Sequence, residues 1–242
     1  MDDNVRGDVV PWVDVLVVNG KDKPLAVLFE HACHPVIVHF ASTLTGRDYA
    51  GFAVQKINES LGDDVMALFA QGCGANINGY PLRSSYEQAE RAGRGLGNSA
   101  LVAVYNARPI KADKLSVKST RLMLPCQDPP TVEVCDEMID KLKEDARQDN
   151  RQVDEHRLKI INRLKDMAKR GEKRELRFDI NRVSLGKEWC LITMPHEMFC
   201  QYQLWTDKNA PFDTTMVFGY TNGSESYVAT EAALSLGDRG GL

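Results

Sequence analysis

The sequence predicts a mixed α/β fold, in which a β-sheet is layered with helices and a helical hairpin is inserted. Two observations support this class. Short apolar runs that end in turn residues alternate along the chain with segments of helical spacing, which is typical of mixed α/β proteins. Within 131–171, two densely charged segments each carry one apolar stripe, which predicts a pair of helices packed on one another.

Alternating strands and helices are predicted for the first half of the chain, each bounded by a turn or cap signal. An Asn19-Gly20 turn separates two apolar runs, and this pattern predicts a β-hairpin. Gly62 follows a helically spaced segment as a stop signal. In order, we predict strands over 12–18 and 25–29, a helix over 49–61, a strand over 65–70, and a helix from Ser84, where a capping-box pattern begins, to Asn106.

The second half of the chain changes character after Pro129-Pro130. Apolar stripes over 135–146 and 153–167 predict the helical hairpin, which we assign to residues 131–171 within one domain spanning 1–242. Such stripes also suit a coiled-coil partner, but packing of the hairpin on its own domain is favoured. Further strands are predicted over 118–124, 176–185, 189–194 and 214–220, and a helix over 198–205.

Composition limits the classes of function. The net charge of −4 gives no general basic surface for nucleic acid, although a local basic patch is compatible with it. No apolar run approaches the roughly 18–20 residues of a membrane helix. The acidic start, Met1-Asp2-Asp3-Asn4, lacks the apolar core of a signal peptide. We therefore expect no nucleic-acid partner and no transmembrane segment, and the sequence carries no signal for an oligomeric state.

The cysteines do not form a recognisable metal-binding pattern. None of the six belongs to a C-x-x-C pair, which argues against a zinc ribbon. Several adjoin apolar residues, so we expect reduced, buried thiols in preference to disulfides. They are Cys33, Cys73, Cys126, Cys135, Cys190 and Cys200.

Three predicted strand ends carry candidate metal ligands. His34, Glu197 and Tyr227 each follow an apolar strand. Imidazole, carboxylate and phenolate donors suit a zinc ion, with one position left open for water. A single histidine is also often a packed side chain, and a glutamate after a proline is often a favourable charge at a helix N-terminus. The pattern makes these residues candidate ligands of a divalent ion such as zinc and leaves the two structural interpretations open.

The other histidines near these segments are assigned supporting roles or none. His31 lies three residues before His34, so an extended strand places them on opposite faces, where they would not chelate one ion together. His39 and Asp48 are candidates for contacts behind the ligands. His196 is expected to point elsewhere.

A glycine-rich loop, Gly72-Cys73-Gly74-Ala75-Asn76-Ile77-Asn78, follows the strand over 65–70. Its glycines let the backbone approach a ligand closely, and its two asparagines offer amides to a substrate or a developing oxyanion. An ordinary turn with asparagines in left-handed conformations is an equal alternative. The loop lacks the Lys-Ser/Thr ending of a nucleotide-binding loop, and the chain has no G-x-S-x-G nucleophile elbow.

Taken in order, these segments resemble the catalytic N-terminal domain of the neutral/alkaline (non-lysosomal) ceramidase family, in its bacterial branch. The resemblance runs from residue 12 to 235 and depends on the order and spacing of its motifs. The motifs are Ala32-Cys33-His34-Pro35, Gly46-Arg47-Asp48-Tyr49-Ala50-Gly51, Phe69-Ala70-Gln71 with the glycine-rich loop, Met194-Pro195-His196-Glu197, Gly219-Tyr220-Thr221-Asn222-Gly223, and Ser226-Tyr227-Val228-Ala229-Thr230.

The resemblance implies one zinc ion held by two histidines, a glutamate and a tyrosine. By motif, three of these ligands correspond to His34, Glu197 and Tyr227, and no residue of this sequence matches the family's upstream histidine. Asn78 stands where the family has a catalytic serine, and Asn76 stands where it has an aspartate. We therefore assign Asn76 and Asn78 to the catalytic machinery.

Other departures from the family concern the ends of the sequence. A tyrosine that helps to bind the transition state in the family would fall near Arg239, and the family's C-terminal sandwich domain has no counterpart here. The resemblance therefore implies a catalytic domain over 1–242 that is incomplete at both ends. Family members are often secreted or periplasmic.

The activity implied by the resemblance is zinc-dependent hydrolysis of a linear amide bond. In the family this reaction cleaves ceramide (N-acylsphingosine) to sphingosine and a fatty acid, a step of sphingolipid metabolism. The expected partner is thus a small-molecule or lipid amide, with amide side chains or backbone N–H groups holding the oxyanion. The departures leave one alternative, a catalytically inactive ceramidase-like domain that serves in binding or as a scaffold.

Overall fold

The computed structural model of the chain describes residues 7–38 and 42–235. Its contacts divide the chain into two units: Met1–Thr120 with Asp179–Leu242, and Arg121–Phe178. The described residues form three β-sheets and six α-helices. The predicted mixed α/β class with an inserted helical hairpin is confirmed, whereas the assignment of 1–242 to one domain stays a prediction.

The first sheet contains three strands in the order β1 (Asp14–Asn19), β2 (Pro24–His31) and β3 (Met66–Gln71). β1 and β2 are antiparallel, and the hydrogen bond from Gly20 N to Lys23 O (2.8 Å) closes the turn between them. β2 and β3 are parallel, which requires a crossover connection between them. That connection contains the first helix, so the predicted hairpin and the predicted 65–70 strand are both present.

Helices α1 (Asp48–Leu61) and α2 (Tyr86–Tyr105) cover one face of this sheet. Alternate residues of β2 point towards these helices, because side chains in a strand alternate between its two faces. Gly93 allows the two helices to approach closely, since a Cβ there would meet the backbone of α1 at Tyr49. The core of this layer contains Val27, Phe29, Ala53, Ile57, Val65, Ala100 and Leu101.

The cap of α2 differs from the prediction by one residue. Ser85, not Ser84, is the N-cap, and its side chain accepts a hydrogen bond from Gln88 N at 3.4 Å. Ser84 instead donates its backbone N–H to Ile37 O. The sequence pattern therefore located the helix start, and the tertiary contact of Ser84 decided which serine caps it.

The predicted helical hairpin consists of α3 (Val132–Gln148) and α4 (Glu155–Arg170). Thr131 caps α3 by accepting from Val134 N at 3.3 Å, and Gly171 ends α4 in the left-handed conformation. The predicted apolar stripes of the two helices meet and form a small core. It contains Cys135, Ile139, Leu142 and Ile161.

The second sheet has the order β4 (Leu115–Pro125), β5 (Glu175–Leu185), β6 (Trp189–Thr193) and β8 (Thr214–Phe218). β5 and β6 are antiparallel, whereas β6 and β8 are parallel. The crossover between β6 and β8 contains α5 (Cys200–Asn209), which begins two residues later than predicted.

A two-stranded parallel sheet that the sequence did not predict joins β7 (Glu197–Met198) to β9 (Tyr227–Val228). A short helix, α6 (Glu231–Ser235), follows. All six cysteines lie in the described residues, carry free thiols and, except for Cys126, are buried, as expected. Across the described ranges, no helix is both long and apolar enough to cross a membrane.

Candidate functional site

The ends of strands from both larger sheets meet within the first unit. The residues that follow β2 and β3 hydrogen-bond to one another and to the residues that follow β6 and β8. These backbone bonds are Gly72 N to His31 O (3.1 Å), His34 N to Ile77 O (2.9 Å), Ala75 N to Met198 O (3.1 Å), Gly219 N to Gln71 O (3.0 Å) and Met194 N to Phe218 O (2.8 Å). Side chains from four distant segments are thereby gathered at one place.

His34, Glu197 and Tyr220 form the centre of this site. His34 Nε2 lies 3.5 Å from Glu197 Oε2, and the Tyr220 hydroxyl lies 3.4 Å from each of these atoms. The imidazole and phenol rings pack edge to face, with their centroids 5.9 Å apart. His34 Nε2 also lies 3.2 Å from the Ala75 carbonyl oxygen. Three polar side chains from three segments thus converge on a single point.

Tyr227 reaches the same carboxylate from β9. It is the register partner of Glu197 in the two-stranded sheet, and Glu197 N donates to Ser226 O at 3.0 Å. Its side chain lies near the Glu197 carboxylate, and burial, followed by the charge of that carboxylate, raises the pKa of Tyr227. The structure therefore brings all three predicted metal ligands together, although Tyr227 remains 48% exposed.

Tyr220 is a site residue that the sequence analysis did not single out. Burial, followed by the charge of Glu197, raises its pKa, so the phenol is protonated at neutral pH. Tyr220 has a positive φ of 55°, which is uncommon for a non-glycine residue and here turns the chain after β8. The available signals were its place at a strand end just before the Asn222-Gly223 turn and its position within the Gly219-Tyr220-Thr221-Asn222-Gly223 motif.

The two asparagines of the glycine-rich loop differ in their contacts. Asn78 is exposed and pairs with His34 through the backbone. Asn76 accepts a hydrogen bond from Cys200 N at 2.8 Å and donates one to Gln201 Oε1 at 3.2 Å. Asn76 therefore holds the start of α5, whereas the Asn78 amide is open to a ligand.

The remaining residues considered for the site lie away from its centre. His31 Nδ1 is 3.2 Å from Trp12 O, and burial lowers its pKa. The buried His196 accepts a hydrogen bond from Glu225 N at 3.2 Å. Asp48 accepts from two backbone N–H groups, Val38 N and Tyr49 N, at the start of α1. His39 lies outside the described residues.

A fully buried glutamate supports the glycine-rich loop from below. Glu30, in β2, is 0% exposed and accepts a hydrogen bond from Gln203 Nε2 at 2.9 Å. Gln203 Oε1 in turn accepts from Cys73 N at 2.9 Å. A Cβ on Gly72 would overlap Glu30 Oε1, so this position requires glycine. These two hydrogen bonds therefore connect β2, α5 and the glycine-rich loop through the side chains of Glu30 and Gln203.

The carboxyl groups of Glu30 and the neighbouring Asp14 have pKa values well above their ordinary range. Burial, with the neighbouring Asp14 carboxylate second, raises the pKa of Glu30 to about 9. Asp14 is opposite Glu30 in the β1–β2 register, and burial raises its pKa to about 6. Glu30 is therefore a neutral carboxylic acid at pH 7, which lowers the cost of burying it.

The donor set at the centre of the site suits zinc in its chemistry. His34 supplies an imidazole nitrogen and Glu197 a carboxylate oxygen, both of which are common zinc ligands, and Tyr227 adds a phenol oxygen. These three side chains would supply three protein ligands to one ion. Within residues 7–38 and 42–235, no three His, Cys, Asp or Glu side chains gather into a metal-binding group.

Comparisons with known proteins support the fold. No protein-family model matches the sequence, and no curated protein matches it. The solved neutral ceramidase from Pseudomonas aeruginosa is similar with a TM-score of 0.65 and 17% identity, over 96% of this chain and 43% of that one. A ceramidase in complex with C2 gives 0.66 and 15%, over 96% of this chain and 44% of that one.

These similarities define a ceramidase-like fold. At identities of 17% and 15%, the similarity is one of fold alone. The chain spans less than half the length of either neighbouring structure.

Proposed function

We propose that this chain is a ceramidase-like hydrolase domain that cleaves a linear amide bond, with one Zn²⁺ held by His34, Glu197 and Tyr227. The observation that carries the proposal is the meeting of these side chains, from three separate strand ends, around the Glu197 carboxylate. The ceramidase-like fold supports the same class of reaction. When bound, the zinc ion would polarise the amide carbonyl and lower the pKa of a water molecule.

The chain's own residues then have distinct roles. Tyr220 stays protonated at neutral pH and donates a hydrogen bond towards Glu197 or towards the charge that develops on the substrate oxygen. Asn78, exposed beside His34, offers its amide N–H to the same oxygen. Asn76 keeps the loop attached to α5 and so acts as a positioning residue.

The substrate class proposed is a lipid amide of the N-acylsphingosine type, which would be cleaved to sphingosine and a fatty acid. The basis is the named activity of the neighbouring structures together with the motif resemblance. Since the chain covers 43–44% of those proteins, this activity is proposed for the site and not transferred from the whole enzymes.

A second candidate function is supported by the number of donors. Three protein ligands bind zinc less tightly than four, and Asn78 lacks the hydroxyl found in the family's serine position. A ceramidase-like domain that binds a lipid amide without hydrolysing it therefore remains the alternative. Hydrolysis measured with and without zinc distinguishes the two functions.

Zinc binding is the direct test of the proposed site. We expect the full chain to bind one zinc ion per molecule in calorimetry and metal analysis. Affinity should fall more than about 100-fold for His34→Ala and Glu197→Ala, because each loses a direct ligand and loss of an outer-shell partner alone costs about 10–100-fold. His156→Ala is the matched control, since His156 is exposed on α4. Equal zinc affinity in the parent and in His34→Ala would overturn the metal assignment.

Hydrolysis is measured separately, with N-acylsphingosine and a simple N-acyl amide as substrates. Activity that disappears with a chelator and returns with zinc supports the hydrolase. Zinc binding without any amide cleavage supports the non-catalytic alternative. Tyr220→Phe should lower kcat with little effect on KM, because it removes a hydrogen bond that strengthens as charge develops.

A further inference from the structure

A second polar region lies on the sheet that contains β4 and β5. A groove of about 600 Å³ is lined there by Lys111, Lys114, Lys118, Arg182 and Lys187. None of these residues contributes to the site around Glu197. The groove lies wholly within the first unit, since its lining comes from residues 111–118, 182–188 and 212. The proposed hydrolase therefore does not use the charged side chains of this groove.

The strand period explains why these cations share one face. Lys114 directly precedes β4, Ser116 and Lys118 follow it at alternate positions along that strand, and Arg182 and Ser184 alternate along β5. Residues two apart in a strand point to the same side. Because β4 and β5 are neighbours in the sheet, the two rows lie side by side and form the floor of the groove.

Arg182 is held in place at the centre of this floor. Its guanidinium lies over the Phe212 ring, 5.5 Å from the ring centroid, and its Nη2 donates to Ser116 Oγ at 3.4 Å. Its Nε is buried and has no hydrogen-bond acceptor within the described residues. The Phe212 ring and Ser116 therefore hold the guanidinium in one orientation.

Positive charge in the groove is not neutralised by its own lining. Five cationic side chains face two acidic ones, Asp113 and Glu188. Glu188 Oε2 is already an acceptor for the backbone N–H of Lys111 at 3.1 Å. In the part of the chain that the structure describes, none of the four lysines makes an ion pair. This local surplus contrasts with the chain's net charge of −4.

We propose that this groove binds a phosphate group of a small molecule or of a lipid headgroup. A planar guanidinium surrounded by lysine ammonium groups suits the several oxygens and the double negative charge of a phosphate. A carboxylate would neutralise Arg182 and leave the lysines uncompensated. The volume falls in the range of about 300–1,000 Å³ that small-ligand sites occupy. A polynucleotide is disfavoured because the rest of the chain is acidic.

Binding of inorganic phosphate to the full chain at low ionic strength is the first test, measured by calorimetry. Arg182→Gln and the double variant Lys114→Gln/Lys118→Gln should each weaken phosphate binding about tenfold or more. The matched control is Lys141→Gln/Lys143→Gln, which removes the same charge from exposed positions of α3. Phosphate affinity that is unchanged by Arg182→Gln, or equally reduced in the control, would overturn the proposal.

Lipid vesicles distinguish a lipid headgroup from a free phosphorylated molecule as the ligand of the groove. The chain is sedimented with phosphatidylcholine vesicles that contain or lack phosphatidic acid. Co-sedimentation that requires phosphatidic acid and is lost in Arg182→Gln assigns a lipid headgroup. Binding of inorganic phosphate without co-sedimentation assigns a free phosphorylated molecule. If neither phosphate nor phosphatidic acid binds, the proposal is wrong.

The outcome is independent of the proposed hydrolase. Arg182→Gln should bind zinc with the affinity of the parent, because no groove residue contributes to the site around Glu197. Loss of zinc binding in His34→Ala should likewise leave phosphate binding unchanged. Circular dichroism and the urea midpoint of each variant establish that it is folded.

Discussion

The support beneath the glycine-rich loop and the helical hairpin are both rich in polar side chains, but they place them in opposite environments. Glu30 and Gln203 are buried, with exposed fractions of 0% and 1%. In the hairpin, ion pairs such as Lys165–Asp136 lie at the surface. A buried polar group costs free energy unless its bonds are satisfied, whereas a solvated ion pair contributes little. We therefore expect the exposure of polar side chains to water, more than their number, to determine how strongly the free energy of unfolding responds to mutation and to pH.

The pH dependence of stability should show the largest difference. The pKa of Glu30 is about 9 in the folded chain, against an ordinary value of 4.5 that unfolding restores. Between these pH values the folded state holds a proton that the unfolded state releases, so the free energy of unfolding falls as the pH rises. We expect a loss of several kcal/mol from about pH 5 to about pH 9, measured by urea titration.

Glu30→Gln tests the origin of this pH dependence. Glutamine keeps the shape of the neutral acid and cannot ionise, so most of the slope should disappear. Glu90→Gln, at an exposed position of α2, is the matched control and should keep the parent's slope. A Glu30→Gln variant that loses stability with pH as steeply as the parent would show that another group is responsible.

Substitution of Gly72 should have the next largest effect. In Gly72→Ala the new Cβ would overlap Glu30 Oε1 and lie 2.7 Å from Gln203 Oε1. Because both partners are buried, neither can withdraw into solvent, and we expect a loss of about 3 kcal/mol in the free energy of unfolding. Urea denaturation measures it.

Gly95→Ala, in the same unit, should change the free energy of unfolding in the opposite direction. A Cβ at Gly95, inside α2, meets nothing within 4 Å. It should therefore stabilise the chain by about 0.5–1 kcal/mol, the ordinary gain of alanine over glycine in a helix. Equal urea midpoints for Gly72→Ala and the parent would contradict the packing of the loop on Glu30.

Removal of a hairpin core side chain should have a moderate and local effect. Ile139 belongs to the small core between α3 and α4, so Ile139→Ala should cost about 2 kcal/mol. Hydrogen exchange should show faster opening of amides within α3 and α4, while β2 amides keep their protection. Met138→Ala, at a neighbouring position that is 40% exposed, is the control and should change little. Equal loss of protection in β2 would show that the two units open together.

The smallest effect is expected at the surface ion pair of the hairpin. Lys165→Met removes the partner of Asp136 and should change the free energy of unfolding by at most about 0.5 kcal/mol. Thr131→Ala, which removes the cap of α3, should cost more, about 1 kcal/mol. Thermal unfolding of both variants at low and high salt measures the difference. A larger loss of unfolding free energy for Lys165→Met than for Thr131→Ala would contradict the expectation that a solvated ion pair contributes little.

Local patterns were sufficient for the elements that carry the candidate site. Gly62 ends α1 and the Asn19-Gly20 turn precedes β2, as predicted, because such boundaries depend on neighbouring residues. The position of His34 directly after an apolar strand selected it as a candidate for the same reason. Its role as a zinc ligand stays a prediction.

Other parts of the site left little trace in the sequence. β7 and β9 contain two residues each, which is too short for an alternating pattern to appear. Tyr220 could be noted as a residue before a turn, but its approach to Glu197 depends on how β6 and β8 pair. Glu30 looked like one more residue of a strand, and nothing nearby in the sequence indicates that Gln203 covers it.

The order of amino acids alone decides where the longer strands and helices lie, to within a few residues, and which chemical groups are available, since these depend on short-range sterics and hydrophobic periodicity. Only the tertiary structure decides the partnerships: Tyr220 with Glu197, Glu30 with Gln203, and Arg182 with the lysines of the groove. Each of these groups suits several environments, and its partner lies far away along the chain. Packing of the sheets and α5 excludes water from some of these groups and leaves others exposed, and that difference selects one role for each.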